Sequence, residues 1–504
     1  MTINRNPEAV AEREYDLIII GGGIYGVMLT FEAVRHGLTP LLLEKDDYGS
    51  KTSFNSLKII HGGLRDLQSL NIKRFLKFGK ERQWYLEQFP EFAEQLPVLM
   101  PLYQKGLKRT QTFHIAFLLD RILNLLTGKA KSRCVPYGAV LSAEKVKQTF
   151  PLVNDDELKG GALWYDAAVP DSQRFIIELL RRANENGAMT LNYMKAVDLQ
   201  LNDNTVSGVT AEDRLTNTTY KFRSKTVLNA AGPWNRDVVR HLGAGDTDLY
   251  PLSLMWNVLF DREALSEYAL GVSARGDDGQ IFFLHPWKGR LLAGTGHSPR
   301  KSLDDNSQPS EAEVDEFIQG LNQAIPGLNM SRDEILHVYS GFVNVKERES
   351  LDLTKEDSLT DHSQENGPVG LFTLQGTKFT AARATAEMVI DQIFAEKSVK
   401  NDRLLTTPES SSRWNYTYRW YPENSDTSWK DELQSIIENE SVVHLDDLIL
   451  RRTNIGDNPS RALKLAPIIV GLFSWTAQRE QEEISRVQSH FQWFETENVY
   501  LSVP

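Results

Sequence analysis

Gly21, Gly23 and Gly26, spaced Gly-x-Gly-x-x-Gly, and Glu44 beyond them are residues that can hold a dinucleotide. The glycines provide a tight turn, close backbone approach to a pyrophosphate, and close packing of a helix on a strand. A carboxylate at Glu44 can accept hydrogen bonds from a ribose diol, and it would repel a 2′-phosphate. Such chemistry needs particular elements around it. The apolar run Leu17 to Ile20 reads as a buried parallel strand leading into the first glycine. A helical pattern follows through Met28, Leu29, Phe31, Ala33 and Val34 and stops at Gly37. The partial positive charge of that helix's N-terminus would face the phosphates. A second apolar strand, Leu41 to Leu43, then delivers Glu44.

The rest of the chain supplies further elements. The polar stretch Gly49–Ser56 reads as a loop near the ligand. Helices are expected from about Ile72 to Phe89 and over 174–186, the latter closed by Gly187. Short strands are expected at Thr190–Tyr193, Ala196–Gln200, Val206–Thr210 and Tyr220–Phe222. A buried strand from Lys225 ends in the small-residue turn Asn229-Ala-Ala-Gly232, which permits close ligand approach. Residues 250–300 alternate as an antiparallel sheet does. Gly370-Leu-Phe-Thr-Leu-Gln-Gly376 is another strand meeting glycine, with a helix over Lys378–Ile393. A Ser/Thr/Pro-rich link at 405–412 precedes a mostly helical C-terminal region.

The 504 residues are enough for two or three domains. A net charge of −12 argues against broad attraction to nucleic acid. With Cys134 as the one cysteine, no intrachain disulfide or thiolate cluster can form, and no metal centre is expected. The polar N-terminus has no apolar signal core, and no run reaches the roughly 18–20 apolar residues of a membrane span. These features predict a cytoplasmic protein, at most peripheral on a membrane surface.

Several separated segments resemble the FAD-dependent glycerol-3-phosphate dehydrogenases, within the glycine-oxidase and D-amino-acid-oxidase-like flavoproteins. They are Tyr15–Gly26; Ser56-Leu-Lys-Ile-Ile-His-Gly-Gly-Leu-Arg-Asp-Leu67; Tyr165–Asp171; Val227–Trp234; Pro286–Arg290 with Gly294-Thr295; Gly376–Thr380; and Asp446–Thr453. The His61-Gly-Gly-Leu-Arg65 segment is far more specific than the glycine fingerprint. The resemblance implies an α/β fold: a Rossmann-like FAD-binding domain, an inserted antiparallel-sheet substrate domain and a helical C-terminal domain. The expected boundaries are 14–80, 155–245 and 340–400 for the FAD domain, 81–154 and 246–339 for the substrate domain, and 405–504 for the C-terminal domain.

That resemblance also implies site roles. FAD would be held by Gly21, Gly23, Gly26 and Glu44, by Ser53 and Ser56, by Gly62 and Gly63, and by Gly232, Gly376, Thr377 and Lys378. The implied reaction is oxidation of a secondary alcohol, with a base taking the hydroxyl proton and hydride passing to flavin N5. His61 is a catalytic candidate or a structural histidine, and Lys378 a catalytic cation or a solvated one. Arg65 and Lys355 are the candidate cations for an anionic substrate tail.

Two positions, both expected to contact the substrate, depart from the family pattern. Val343 stands where the family has an arginine, and Trp256 where it has a histidine. Valine cannot reproduce an arginine fork, and tryptophan cannot act as a base. His285 and His297 are candidate replacement bases or packing residues. The departures leave three readings open: a flavin alcohol dehydrogenase with an altered small substrate, a flavin amine or amino-acid oxidase, and an FAD-binding family member with impaired catalysis. Quinone or oxygen is the expected electron acceptor. Residues 105–133 hold seven Lys or Arg against Asp120, around the apolar positions Phe113, Ile115, Phe117, Leu118, Ile122, Leu125 and Leu126. This stretch reads either as a membrane-surface helix or as a domain-packing helix.

Overall fold

A computed structural model describes residues 2–64, 71–103, 110–126, 134–243, 251–273, 281–303, 307–345, 357–396, 401 and 428–492. The strand Leu17–Ile20 is buried along its whole length, as its unbroken apolar run requires. It lies inside a six-stranded sheet between Pro40–Leu43 and Val227–Asn229. Met189–Leu191 extends the sheet on one side and Leu371–Gln375 on the other, all parallel. Ser358–Asp361 closes the latter edge antiparallel. The helix Ile24–Arg35 crosses between the first two strands and is packed against Ser172–Glu185 and Ala382–Ile393. Phe31, Phe89 and Phe175 are fully buried in this core, each contributing about 1.5–3 kcal/mol by burial. A small four-stranded sheet, Glu14–Tyr15, Thr219–Ser224, Thr205–Asp213 and Met194–Asn202, covers the other side.

A large, mostly antiparallel sheet forms the second body. Among the described residues its order runs Ile335–Asn344, Leu252–Glu263, Arg290–Arg300, Phe282–Trp287, Ala269–Val272, Glu94–Leu102, Gly160–Ala168, Ile59–Ile60. The helix Glu311–Ala324 covers its outer face with Val314, Phe317, Ile318 and Leu321. Ser310 and Glu313 form a capping box that starts this helix. The expected domain boundaries miss part of this sheet. Gly160–Ala168 pairs with Glu94–Leu102, and Ile335–Asn344 pairs with Leu252–Glu263. The large sheet thus crosses the expected boundaries, drawing Ile59–Ile60 and Gly160–Ala168 from segments expected in the FAD domain and running across residue 340. Pairing partners distant in sequence decide this, and local pattern does not report them.

The C-terminal helices Ser428–Asn439, Pro459–Ile469 and Ala477–Phe491 pack as a third unit. Buried ion pairs tie it to the first. Asp47 accepts from Arg451 Nε at 2.5 Å and from both terminal nitrogens of Arg452 at 2.7 and 2.8 Å. Burial alone would raise the Asp47 carboxyl, but the two guanidiniums outweigh it and hold the group well below the usual range. Arg174 pairs with Glu440 in the same way. The expected link at 405–412 lies outside the described residues.

Candidate active site and cofactor crevice

The crevice opens at the carboxyl ends of the parallel strands. Gly21 has φ +109°, and a Cβ there would lie 2.8 Å from the Ala230 carbonyl oxygen. A Cβ on Gly26 would lie 1.8 Å from the Gly21 oxygen, so the first helix can approach the strand only with glycine there. Glu44 Oε2 accepts the Gly22 N–H at 2.5 Å, and Oε1 accepts the Asp46 N–H at 2.8 Å. Burial pushes the Glu44 carboxyl up to about 7 against these two donors. Gly22 was absent from the expected set. A Cβ there would sit 2.9 Å from Glu44 Cβ, so the third consecutive glycine makes room for the acid.

Ser53 Oγ accepts the Ile24 N–H at 2.9 Å at the helix start. Among the described residues, only Ser53 Oγ lies within 4 Å of a Cβ built on Gly23, and nothing does at Gly232. Gly232 therefore faces open space, and a Cβ on Gly23 would meet only the Ser53 hydroxyl, at 3.3 Å, among the described residues. Unfilled glycine space, a helix N-terminus and a buried acid at the end of the second strand fit the adenosine and pyrophosphate part of FAD. Ser56 Oγ accepts the Lys58 N–H at 3.4 Å, so its visible role is local.

His61 stands where three parts of the molecule meet. Its N–H donates to Thr380 Oγ1 at 3.2 Å, its ring lies 5.5 Å from the Phe283 ring, and its Nδ1 is 3.1 Å from Asp166 Oδ2. The other Asp166 oxygen accepts the Gly62 N–H at 2.7 Å. Burial would raise Asp166, but the His61 ring, the Gly62 N–H and Arg82 outweigh it and hold the carboxyl below its ordinary value. An ionised acid at Nδ1 fixes the proton there and leaves Nε2 as an acceptor. The His61 side chain is about half exposed, so this acceptor is reachable. Asp166 was not among the expected site residues; its only signal was its place in the segment Tyr165–Asp171.

Gly62 and Gly63 shape the turn after His61. A Cβ on Gly62 would meet the Arg82 side chain, and Gly63 has φ +82°. Gly376, Thr377 and Lys378 lie at the matching strand–helix junction. The Tyr25 ring fills the space beside Gly376. Its hydroxyl lies 3.0 Å from Asp357 Oδ2 and accepts the Lys378 N–H at 3.3 Å. Lys378 caps a short 3₁₀ turn, Phe379–Ala381, ahead of the helix Ala382–Ile393, and its Nζ stands 5.2 Å over the Phe78 ring. Arg65 and Lys355 lie outside the described residues.

Strand parity sorts the remaining candidates. The inner face of the large sheet meets the 49–56 loop. There Asn257 Nδ2 donates to the Asn55 carbonyl at 3.0 Å, and a Cβ on Gly341 would lie 3.0 Å from Thr52 Cα. Val343 lies two residues from Gly341 and so shares this face. His297 shares it through its pairing with Met255, which also pairs with Gly341. Burial lowers the His297 ring, and a backbone bond at Thr295 opposes this. Trp256 is one residue out of phase and points the other way. It packs in the outer core with Leu254, Val258, Phe282, Phe317 and Phe342, with its buried Nε1 finding no hydrogen-bond partner among the described residues. The expectation that Trp256 contacts substrate is therefore corrected. His285 is buried, with Nδ1 3.1 Å from the Leu57 carbonyl. Burial and nearby Lys58 push its ring down to about 4, so it is a weak proton acceptor.

Similarity to known proteins agrees with this geometry. The family described as FAD dependent oxidoreductase matches residues 16–392. An aerobic glycerol-3-phosphate dehydrogenase of Staphylococcus aureus (strain MRSA252) is 31% identical over 401 residues, covering 78% of this chain and 69% of that protein. The solved glycerol-3-phosphate dehydrogenase from Bacillus halodurans, complexed with FAD, superposes with a TM-score of 0.73 at 21% identity, over 97% of this chain and 96% of that one. A glycine oxidase from Geobacillus kaustophilus superposes with a TM-score of 0.56 at 16% identity, over 79% of this chain and 99% of that one. At these identities the two solved structures speak for the fold alone.

Proposed function

The chain belongs to the FAD-dependent oxidoreductase family, and we propose that it oxidises a secondary alcohol of a small hydroxylated or phosphorylated metabolite. The observation that carries this reading is the His61–Asp166 pair beside the Gly376–Thr380 junction. FAD, when bound, supplies the hydride acceptor. Gly21, Gly23, Gly26, Glu44 and Gly232 would hold it. His61 Nε2 takes the substrate's hydroxyl proton, and Asp166 stabilises the resulting imidazolium and holds the ring in place. Lys378 would place positive charge toward an anionic tail, and the sequence resemblance gives Arg65 and Lys355 the same role.

Anaerobic bleaching of the bound flavin against alcohols, polyol phosphates and amines tests this. A secondary alcohol should reduce the flavin, and Asp166→Asn should slow that step about 10²-fold or more with FAD content unchanged. Glycerol 3-phosphate should be slow in the native protein. Val343→Arg should recover part of its rate, because the lost charge-assisted contact corresponds to about 1.5–3 kcal/mol. Reduction by amines alone, or an unimpaired Asp166→Asn protein, sinks the reading.

We further propose that the helix Thr110–Leu126 rests on an anionic membrane surface and that a quinone there accepts the electrons. Ile115, Leu118, Ile122 and Leu125 are exposed at helical spacing, and the sequence on both sides is basic. Phe113 and Phe117 are buried inward instead. No helix of the described residues is long and apolar enough to cross a membrane. Salt-sensitive flotation with phosphatidylglycerol vesicles is expected, abolished by Leu118→Asp with Leu125→Asp. Unchanged flotation of that double variant would refute the surface, and reoxidation by oxygen as fast as by quinone would refute the acceptor.

A further inference from the structure

The helix Ile72–Gln88 runs beside the His61–Asp166 pair and carries Arg82 to it. Arg82 Nη1 donates to the carbonyl of Tyr165, the residue before Asp166. The same side chain covers the backbone of Gly62, the residue after His61, so closely that a Cβ there would strike the guanidinium. Gly62 does not have a positive φ. The space taken by Arg82, and not a left-handed backbone, therefore requires glycine at this position. Pairing of Ile59–Ile60 with Gly160–Ala168 brings the two segments together, and Arg82 closes them from the helix side.

Asp166 is buried, and its two oxygens face the Gly62 N–H and the His61 ring. A buried carboxylate with an imidazole as its one counter-charge would hold a proton on that ring and close Nε2 as an acceptor. A second cation beside the carboxylate weakens this pull, because it shares the negative charge and repels an imidazolium. Arg82 is among the groups that keep Asp166 ionised. The other charged and titratable groups around the helix are set differently. Lys378 Nζ and the Arg74 guanidinium each stand 5.2 Å over the Phe78 ring, one turn before Arg82. Arg383 binds Glu81 through two nitrogens, at 2.7 and 2.5 Å. Glu87 Oε1 accepts the Cys134 S–H at 3.3 Å, and the Tyr85 hydroxyl donates to the Phe379 carbonyl at 3.3 Å. Arg82 is the cation set against both Gly62 and Tyr165.

We propose that Arg82 is a positioning residue for the oxidation: it clamps the His61 and Asp166 segments together and balances the Asp166 charge, which keeps His61 Nε2 open to the substrate's proton. This role rests on the alcohol-oxidation reading above and names the residue that sustains its base.

NMR titration of the FAD-loaded protein with isotope-labelled histidine tests it, the His61 signal being assigned by its loss in His61→Gln. Arg82→Gln should raise the His61 midpoint by about 0.5–1 unit, since a nearby positive charge is gone. The acid limb of flavin reduction by the best alcohol should move up with it, so that the rate falls more at about pH 6 than at about pH 8. Arg82→Lys keeps the charge and should restore most of the native midpoint. Arg82→Met keeps the stem over Gly62 and replaces the glutamine variant should that one lose FAD. An unmoved midpoint in the charge-deleted variant, a lysine variant that behaves like it, or a rate loss equal at every pH overturns the role. A purely structural arginine would give the last of these. The two readings fail separately. If no alcohol bleaches the flavin but Arg82→Gln moves the His61 midpoint, the reaction is wrong and the role of Arg82 toward the pair stands. If alcohols bleach it and the midpoint stays, the role of Arg82 is wrong and the reaction stands.

Discussion

The glycine-rich crevice and the inner face of the large sheet border the same candidate active site, but the chain builds them differently. In the crevice, Gly21, Gly22, Gly26 and Glu44 belong to one strand–helix–strand unit, and the contacts of Gly26 with Gly21 and of Glu44 with Gly22 stay within it, only Ala230 beside Gly21 coming from elsewhere. On the sheet, Met255, His297, Gly341 and Val343 meet only because three strands pair in one register. A contiguous unit encodes its geometry in spacing. A face assembled from distant strands encodes it in register, and a shift of one residue reverses every side chain.

Gly26→Ala should have the largest effect. The added carbon would lie 1.8 Å from the Gly21 oxygen, with backbone on both sides, so the helix must leave the strand. We expect a protein purified without yellow colour that takes up no added FAD and melts several degrees lower. Normal FAD content would mean that the crevice tolerates shifts its geometry forbids.

Lys58 lies between the two regions, and its effect is intermediate. Its Nζ donates to the Phe54 carbonyl and to Ser172 Oγ, and it stands over the Phe54 and Tyr339 rings. Burial pushes the ammonium down to about 8 from 10.5, with Asp457 and Asp171 opposing. The folded state then binds this proton less tightly than the unfolded chain. The penalty is present below about 8 and is removed as pH rises toward 10.5, so stability rises across that window. The shift corresponds to about 3 kcal/mol. Urea unfolding of native protein and Lys58→Met at pH 7.5 and 10 should show the native protein gaining stability relative to the variant. A difference independent of pH would mean that Lys58 is neutral or well solvated throughout.

Trp256→Phe should have the smallest effect. The change removes from the outer core a buried N–H that has no partner among the described residues and keeps an aromatic ring, so stability should move by less than about 1.5 kcal/mol. Flavin reduction by the best substrate should stay within about twofold. A tenfold loss would return Trp256 to the substrate side and erase the contrast between the two faces.

Sequence alone determined the opening strand, helix and strand, the acid that follows them, and the strand–glycine junctions at Gly232 and Gly376. Each is written in a local pattern: an apolar run, a helical period and a glycine at the end of a strand. It also brought His61 into view through its motif. The partner of His61 required the fold, since Asp166, 105 residues on, reaches it from the strand Gly160–Ala168 that pairs with Ile59–Ile60. Tertiary structure likewise decided that His285 is sealed in, that His297 and Val343 face inward, and that Trp256 does not. Alternation along Leu252–Glu263 says that neighbours point opposite ways, but not which set meets the 49–56 loop. Pairing with Arg290–Arg300 and Ile335–Asn344 decides that, through contacts no local pattern records. The clamp of Asp47 by Arg451 and Arg452 belongs to the same class: a carboxylate and two adjacent arginines far from it in the chain, buried because the folded state brings them together.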